Sequence, residues 1–224
     1  MWWRESHSTS ATSRVVLARS AALSSARVLS THQTLLVSQT NMTITKQRQE
    51  TSYAALAETF GYTSPMQGPR ITKVVVSSGV GKKRDKKQLE LIQDRLAKIT
   101  GQKAVARAAK QSVASFKVRE GDTVGLQITL RGERMYHFLD KLVHITLPRT
   151  RDFRGLSPKA IDEMGNFTIG IKEHTIFPET ADEDLKDVFG LAVTIVTTAK
   201  GKEEAEAFFR HLGFPLVVDS GVKR

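Results

Sequence analysis

The densest group of chemically active side chains is a cluster of cations at residues 82–87, which read Lys-Lys-Arg-Asp-Lys-Lys directly after the Gly-Val-Gly stretch at 79–81. Amines and a guanidinium at this density attract phosphate. A helical pattern begins here, so unpaired backbone N–H groups and the helix dipole would favour an anion, with Asp85 as the N-cap. The P-loop spacing is absent, which excludes that nucleotide site. The cluster predicts contact with an RNA backbone through Lys82, Lys83, Arg84, Lys86 and Lys87, and a solvated charge run is the alternative.

A second basic stretch, residues 103–119, contains no acidic residue. Its lack of apolar periodicity predicts a long basic loop that is mobile until phosphates neutralise it. Phe116 could stack on a base there, and an inward-facing Phe116 is the alternative. The cations of this stretch are Lys103, Arg107, Lys110, Lys117 and Arg119.

A third set of cations consists of arginines on either side of a predicted helix. The planar guanidinium pairs with phosphate through two hydrogen bonds, so the set predicts another RNA-facing patch. Glu133, Asp140 and Asp152 lie among them, and an internal salt-bridge network is the alternative. The arginines are Arg131, Arg134, Arg149, Arg151 and Arg154.

Evidence for catalysis or metal binding is weak. His137 and His144 are seven residues apart on one helical face, but two ligands make no structural zinc site. Ser112 has no recognisable base and no Gly-x-Ser-x-Gly motif. We therefore expect no enzyme, metal or cofactor. The acids at Glu203, Glu204 and Glu206 are interpreted as an exposed, solubilising helix face.

Composition agrees with a polyanion-binding domain. The 224 residues carry 34 Lys and Arg against 23 Asp and Glu, a net charge of +11. Such a balance is typical of proteins that bind nucleic acid. No run of about 18 apolar residues is present, so no membrane span is expected. The absence of cysteine excludes disulfides and thiolate metal sites.

The N-terminal segment differs from the remainder of the chain. Up to residue 49 it contains a single acid, Glu5, among arginines, serines and threonines. This composition predicts an organelle transit peptide at residues 1–45 and a mitochondrial matrix location, with the chloroplast as an alternative. A basic tail, or a real start at Met42 with a cytoplasmic product, would explain it otherwise.

The hydrophobic pattern positions these groups on an α+β fold. Helical spacing predicts helices near residues 50–60, 89–99, 135–143 and 205–212, and alternation predicts strands near 71–76, 124–130, 167–171 and 191–195, with a short one near 103–107. The order is helix, then β-α-β-β-α-β-β-α. We expect a mostly antiparallel sheet with helices on one face, similar to an RNA-recognition sandwich, and the other face open to a ligand.

Several sequence blocks together resemble the bacterial form of the ribosomal protein L five family. The most specific blocks are residues 129–136, Thr-Leu-Arg-Gly-Glu-Arg-Met-Tyr, and 147–157, Leu-Pro-Arg-Thr-Arg-Asp-Phe-Arg-Gly-Leu-Ser. Shorter blocks agree in order at residues 66–71, 79–81, 99–103, 110–117, 176–179 and 194–199. The resemblance covers residues 46–216; we place the domain at 46–218, followed by a tail at 219–224.

The resemblance implies a structural protein of the central protuberance of the large ribosomal subunit. Its partners would be large-subunit rRNA, 5S rRNA, peptidyl-site tRNA, a protein of the small-subunit head and other proteins of the central protuberance. Ser77, Gln102 and Thr129 match the region that binds 5S rRNA, and Arg149, Arg151 and Arg154 the inter-subunit bridge. The tRNA-facing loop would present Lys110, Gln111, Ser112, Ser115, Phe116, Lys117 and Arg119. A non-ribosomal organelle RNA-binding or chaperone protein is the alternative.

The chain also departs from the family pattern. Ser77-Ser78 replaces Asn-Met, Asp122-Thr123 replaces an aromatic-proline pair, and Phe189 and Ala192 replace an Arg and an Asp. The residues after Gly81 are Lys82, Lys83 and Arg84 in place of acidic or apolar ones. These changes motivate the hypothesis that contact with 5S rRNA is weakened in favour of non-specific phosphate binding by the basic cluster.

Overall fold

A computed structural model describes residues 43–81, 86–151, 153–181 and 188–217 of the chain. The predicted transit peptide up to Met42, the basic residues Lys82, Lys83 and Arg84, and the tail at 219–224 lie outside the described residues. No helix within the described ranges is long and apolar enough to cross a membrane.

The elements follow the order that the hydrophobic pattern predicts. Gly61 and Gly101 adopt positive φ angles directly after the first two helices, as the predicted helix ends require. The elements are α1 (Ile44–Phe60), β1 (Ile71–Gly79), α2 (Lys86–Thr100), β2 (Val105–Ala108), β3 (Thr123–Leu130), α3 (Glu133–Lys141), β4 (Phe167–Ile171), β5 (Leu191–Thr197) and α4 (Lys202–Leu212).

The five strands form one antiparallel sheet in the order β2-β3-β1-β5-β4. The central strand β1 pairs with β3 on one side, where Ser77 lies opposite Gln127, and with β5 on the other, where Ser77 lies opposite Ala192. The predicted α+β class with a mostly antiparallel sheet is confirmed.

One face of the sheet forms the core. Alternate residues of each long strand are fully buried, as the period of two requires. In β1, Val74 and Val76 have no exposed surface, and Leu130 of β3 likewise has none. The apolar sides of the helices cover this face, for example through Leu96 of α2 and Phe208 of α4, both fully buried. The helices therefore lie on one side of the sheet.

The apolar periodicity of α1 is weak, and polar contacts attach this helix to α3 and α4. The Asp140 carboxylate on α3 accepts a hydrogen bond from the Thr45 backbone N–H at 2.9 Å and another from the Thr45 hydroxyl. The Arg48 guanidinium donates to the Leu212 carbonyl at the end of α4 at 2.8 Å. Gln49 donates to the Tyr136 hydroxyl at 2.9 Å. Asp140 thus positions α1 on α3.

The interpretation of residues 203–206 as a merely solubilising face needs correction. Glu204 is half-buried and accepts hydrogen bonds from the Tyr62 hydroxyl and from the Lys200 backbone N–H. Burial, reinforced by the Glu204 carboxylate, raises the pKa of Tyr62 well above its usual value. Glu206 pairs with Arg210 one turn later at 2.7 Å. Glu203 is exposed, whereas Glu204 and Glu206 are half-buried.

The segment around Leu216 fixes the loop that carries Arg154. Leu156 donates its N–H to the Pro215 carbonyl at 2.8 Å and accepts from Val217 N–H at 2.9 Å, as a short parallel bridge. Gly155 has φ of +93°, and a Cβ there would lie 2.7 Å from Val217. Glycine is therefore required for the close approach of the two segments.

Candidate nucleic-acid interface

The face of the sheet opposite the helices is open, and its side chains form rows across the strands. In the first row, Thr129 of β3 lies beside Val75 of β1, which lies beside Thr194 of β5 and then Thr168 of β4. The Thr168 and Thr194 hydroxyls are 3.1 Å apart. The row presents hydroxyl groups at a spacing set by the strands, and the predicted RNA-binding residue Thr129 lies within it.

The second row carries Ser77 at its centre. Gln127 of β3 lies on one side of Ser77, and Ala192 of β5 followed by Gly170 of β4 on the other. Arg107 of β2 donates from Nε to the Gln127 side-chain oxygen at 2.6 Å. The amide and the hydroxyl of this row can donate and accept hydrogen bonds, which suits recognition of ribose and base edges.

The two adjacent serines have different environments. Ser77 points to the open face and is half-buried, whereas Ser78 is 3% exposed on the core face. The Ser78 hydroxyl donates to the Gly190 carbonyl at 2.7 Å, so it links β1 to the start of β5. Of the two replacements, only the one at Ser77 changes the candidate RNA surface.

Cations surround this face, and the strand residues on it include no acid. Lys73 of β1 lies towards one end, Arg107 of β2 lies on one edge, and Lys172 directly follows β4 on the other edge. A neutral hydrogen-bonding floor with a basic rim fits a polyanion whose backbone lies across the sheet.

The basic cluster is only partly within the described residues. Lys86 begins α2, although its side chain is not described, and Lys87 is exposed in the first turn. Gln102 is half-buried in the turn after α2, and its carbonyl accepts from the Thr100 hydroxyl at 3.2 Å. The turn lies three residues before the edge strand β2, and β2 pairs with β3, the strand that carries Thr129.

Residues 109–122, the finger loop, carry their own hydrogen bonds, which the sequence pattern did not indicate. Val113 and Val118 pair across the loop at 2.9 and 3.2 Å, and Lys117 makes the turn with φ of +51°. The Ser112 hydroxyl accepts from the Glu120 N–H at 2.9 Å. The Asp122 carboxylate accepts from the Arg119 N–H at 2.9 Å. Ser112 and Asp122 therefore shape the hairpin.

The tip of the finger loop presents an aromatic ring to solvent. Phe116 is 75% exposed, so the inward-facing alternative is wrong. The other predicted tRNA-facing residues are exposed in the same loop. They are Lys110, Gln111, Ser112, Ser115, Lys117 and Arg119.

The arginines lie in separate places. Arg149 and Arg151 line a cleft with Lys172, Glu173 and Thr175. Arg154 is exposed on the loop that Leu216 secures, and Arg131 is exposed directly after β3.

Arg134 belongs to a different surface. It lines a depression on the helical layer with Lys98, His137 and Lys141. The structure therefore does not bring Arg134 together with Ser77 and Thr129. None of the ion pairs between described residues includes one of the five arginines of the predicted patch.

Two features of the site were missed by sequence reasoning. Phe189, which replaces an arginine of the family pattern, is 5% exposed and stacks on His174 with ring centres 4.2 Å apart. Lys172 lies beside both the open face and the arginine cleft. The sequence signal that could have identified Lys172 is its position directly after the alternating strand at 167–171. Across the described ranges, no three His, Asp or Glu side chains gather where they could hold a metal ion.

The chain is similar to known ribosomal proteins over most of its length. Residues 64–119 match ribosomal protein L5, and residues 123–216 match the C-terminal part of the ribosomal L5 family. The large ribosomal subunit protein uL5 of Anaeromyxobacter sp. (strain K) is 48% identical over 163 residues, 72% of this chain and 91% of the relative. The uL5 protein of Halothermothrix orenii is 48% identical over 173 residues, 77% of this chain and 97% of the relative. That of Heliobacterium modesticaldum is 50% identical over 163 residues, 72% of this chain and 91% of the relative. The chain belongs to the ribosomal protein L5 family.

Proposed function

We propose that the protein is a structural, non-enzymatic constituent of the large ribosomal subunit that binds rRNA through the open face of its sheet. The observation that carries the proposal is the neutral floor of hydroxyl and amide groups within a rim of cations, in a chain whose relatives are named as large-subunit proteins. The floor makes directional hydrogen bonds, and the rim neutralises phosphate.

The finger loop contacts peptidyl-site tRNA in this proposal. Its exposed cations neutralise the tRNA backbone, and Phe116 supplies an apolar ring that can pack against a ribose or a base. The hydrogen bonds of Ser112 and Asp122 hold the hairpin in shape, so less ordering is needed when tRNA arrives.

In the same proposal, the cleft lined by Arg149 and Arg151, together with the separate Arg154, forms the inter-subunit bridge to a protein of the small-subunit head. Arg149, Arg151 and Arg154 are exposed and carry planar donors that suit acidic side chains. The backbone hydrogen bonds of Leu156 with Pro215 and Val217 support this proposal, because they limit the movement of the loop that carries Arg154. Neighbouring proteins of the central protuberance are further partners.

The hypothesis of weakened 5S rRNA contact is kept as a proposal. Ser77 offers a short hydroxyl at the centre of the open face, and its neighbour Ala192 offers no polar atom. Both changes reduce the number of hydrogen bonds that the second row can make. A direct hydrogen bond from Ser77 to a 5S nucleotide in an assembled particle would contradict the hypothesis.

We place the protein in ribosomes of the mitochondrial matrix, on the composition of residues 1–45. The segment would direct import, and the domain at 46–218 would be the ribosomal part. The test is a fusion of residues 1–45 to a fluorescent protein. Accumulation in chloroplasts or in the cytosol would overturn the mitochondrial assignment and leave the ribosomal one intact.

The experiment that tests the ribosomal function is gradient sedimentation of tagged full-length protein from an organelle lysate at low and high salt, with sequencing of the bound RNA. We expect co-migration with large subunits that survives high salt. Migration as free protein, with RNA lost as salt rises, would favour a non-ribosomal RNA-binding or chaperone role. The RNA sequences would also show whether 5S rRNA is bound.

A further inference from the structure

A large cavity, the finger cavity, lies where the finger loop joins the sheet. Its volume of about 940 Å³ is typical of sites that take small molecules. The end of β1 and the start of β3 lie side by side in its lining, where the Val80 N–H donates to the Val124 carbonyl at 3.0 Å. The finger loop and residues 188–190, which lead into β5, complete the lining. Separate parts of the chain therefore surround the space.

The lining of the finger cavity is mainly apolar. Val80 and Phe189 are 1% and 5% exposed, so these two side chains also belong to the hydrophobic core. By contrast, Val113 is 39% exposed and Phe116 is 75% exposed, although both line the same space. Apolar side chains that stay accessible around a concave space are typical of a ligand-binding site. The valines of the lining are Val80, Val113, Val118, Val124 and Val188.

The described lining contains few polar side chains and no acid. Its polar groups are the Gln111 amide, the Ser115 hydroxyl and the Lys117 amine. Lys117 is exposed, and no ion pair between described residues includes it. Glu120 and Asp122, the acids of the finger loop, do not line the cavity. A cation beside an apolar space favours a ligand that carries an anionic group.

The chemistry of the finger cavity differs from that of the proposed RNA-binding surfaces. The open face presents hydroxyls, an amide and a basic rim, which suit riboses and phosphates. Valine side chains offer no hydrogen bond to either group, but they can bury the rings of an apolar molecule. A single cation beside them matches a ligand with one negative charge. The lining thus favours a small amphipathic molecule over a strand of nucleic acid.

We propose that the finger cavity binds a small apolar monoanion of the size and type of a two-ring aromatic acid. The rings pack against the valines of the cavity, and the anionic group lies beside Lys117. Because the finger loop supplies part of the lining, a bound ligand joins this loop to β1 and β3 and restricts its movement. Binding does not require RNA, so the site is independent of the proposed ribosomal function.

Two dyes that share their ring system test the proposal on the full-length protein. Anilinonaphthalene sulfonate carries a negative charge, and phenylnaphthylamine lacks it. We expect saturable binding of both, about twofold to fivefold tighter for the sulfonate, because an exposed lysine contributes only modestly. Methyl NMR of valine-labelled protein locates the dye. The methyl signals of the cavity valines should shift, whereas those of Val105 and Val217, which are exposed elsewhere, should not.

The first pair of variants tests whether the apolar space is the site. Ala109 lines the cavity, and its neighbour Ala108 is exposed and does not line it. Ala109→Leu adds methyl groups to the space that the rings need, and should weaken both dyes by about tenfold. Ala108→Leu is the matched control and should leave both affinities unchanged.

The second pair tests the role of the cation. Lys117→Asn removes the charge, and asparagine tolerates the φ of +51° at this turn. It should reduce the affinity for the sulfonate to that for the neutral dye. Arg119→Gln removes an equal charge from the same loop outside the cavity and should retain the preference. Absence of saturable binding, equal affinity of the unmodified protein for the two dyes, or methyl shifts outside the cavity would overturn the proposal. The dye comparison and the NMR need no variant, so they decide even if Ala109→Leu fails to fold.

Discussion

The two faces of the sheet are built from the same strands but differ in composition. In β1, Val76 has no exposed surface while the next residue, Ser77, stands on the open face. In β3, Leu130 is fully buried while Thr129 is accessible. The core face holds large apolar side chains against the helices, and the open face holds mainly hydroxyl, amide and basic side chains, with Val75 among them. The structure thus assigns stability and the proposed RNA recognition to alternate residues of one backbone, and we expect that each can be altered independently.

The largest effect is expected from the core face. Leu130→Ala removes a fully buried side chain and leaves a cavity, and should lower the free energy of unfolding by about 3 kcal/mol. Urea denaturation measures it. RNA affinity per folded molecule should remain unchanged. A loss of affinity in the fully folded variant would mean that the two faces are coupled through the sheet.

The helical layer over the core face should show the next largest effect. Asp140→Ala removes the acceptor of two hydrogen bonds from Thr45 and should cost about 1–2 kcal/mol. Hydrogen exchange of the first turn of α1 should accelerate more than that of the strands. Uniform acceleration over the whole chain would show instead that α1 docks and unfolds with the sheet as one unit.

The adjacent serines sharpen the comparison within two residues. Ser78→Ala removes the hydrogen bond to the Gly190 carbonyl and should cost about 1 kcal/mol of stability. Ser77→Ala provides the matched control and should change thermal stability little, because Ser77 faces outward. Equal destabilisation by the two variants would contradict the separation of the faces.

The smallest effect on stability is expected at Thr129. Thr129→Val keeps the shape and β-branching and should change the free energy of unfolding by less than about 0.5 kcal/mol. Loss of one hydrogen bond should weaken rRNA binding by about threefold to tenfold. A filter-binding titration measures the rRNA affinity of Thr129→Val and of Leu130→Ala, which represent the open face and the core face. Unchanged affinity would remove Thr129 from the proposed interface.

Much of the fold could be predicted because its signals are local. The alternation of Leu126, Ile128 and Leu130 reports burial on one face, and Gly61 and Gly101 mark the helix ends. The order of helices and strands is confirmed. The position of Ser77 and Thr129 on the open face follows from the same period of two, so this part of the candidate site was accessible from sequence.

The remainder depends on contacts between distant residues. The sequence around Glu204 does not indicate that this residue accepts a hydrogen bond from Tyr62. The sequence around Leu156 likewise does not indicate its pairing with Leu216. Arg134 illustrates the same limit, because clustering along the chain placed it with Arg131 although α3 carries it to the helical layer. Charge predicts that a chain binds a polyanion, but tertiary structure decides which surface is available for binding.

The central position of β1 has a consequence for the order in which the protein is built. Its Ile71 pairs with Thr197 and its Val76 with Ile128 and Val193, so both edges of β1 are satisfied by strands translated later. During synthesis, the backbone groups of β1 remain unpaired until β3 and β5 have been made. Such long-range pairing is slow, and an unpaired strand can pair with another chain in the meantime. The chain would therefore complete its sheet late, and translational pauses before residue 191 should prolong its dependence on chaperones.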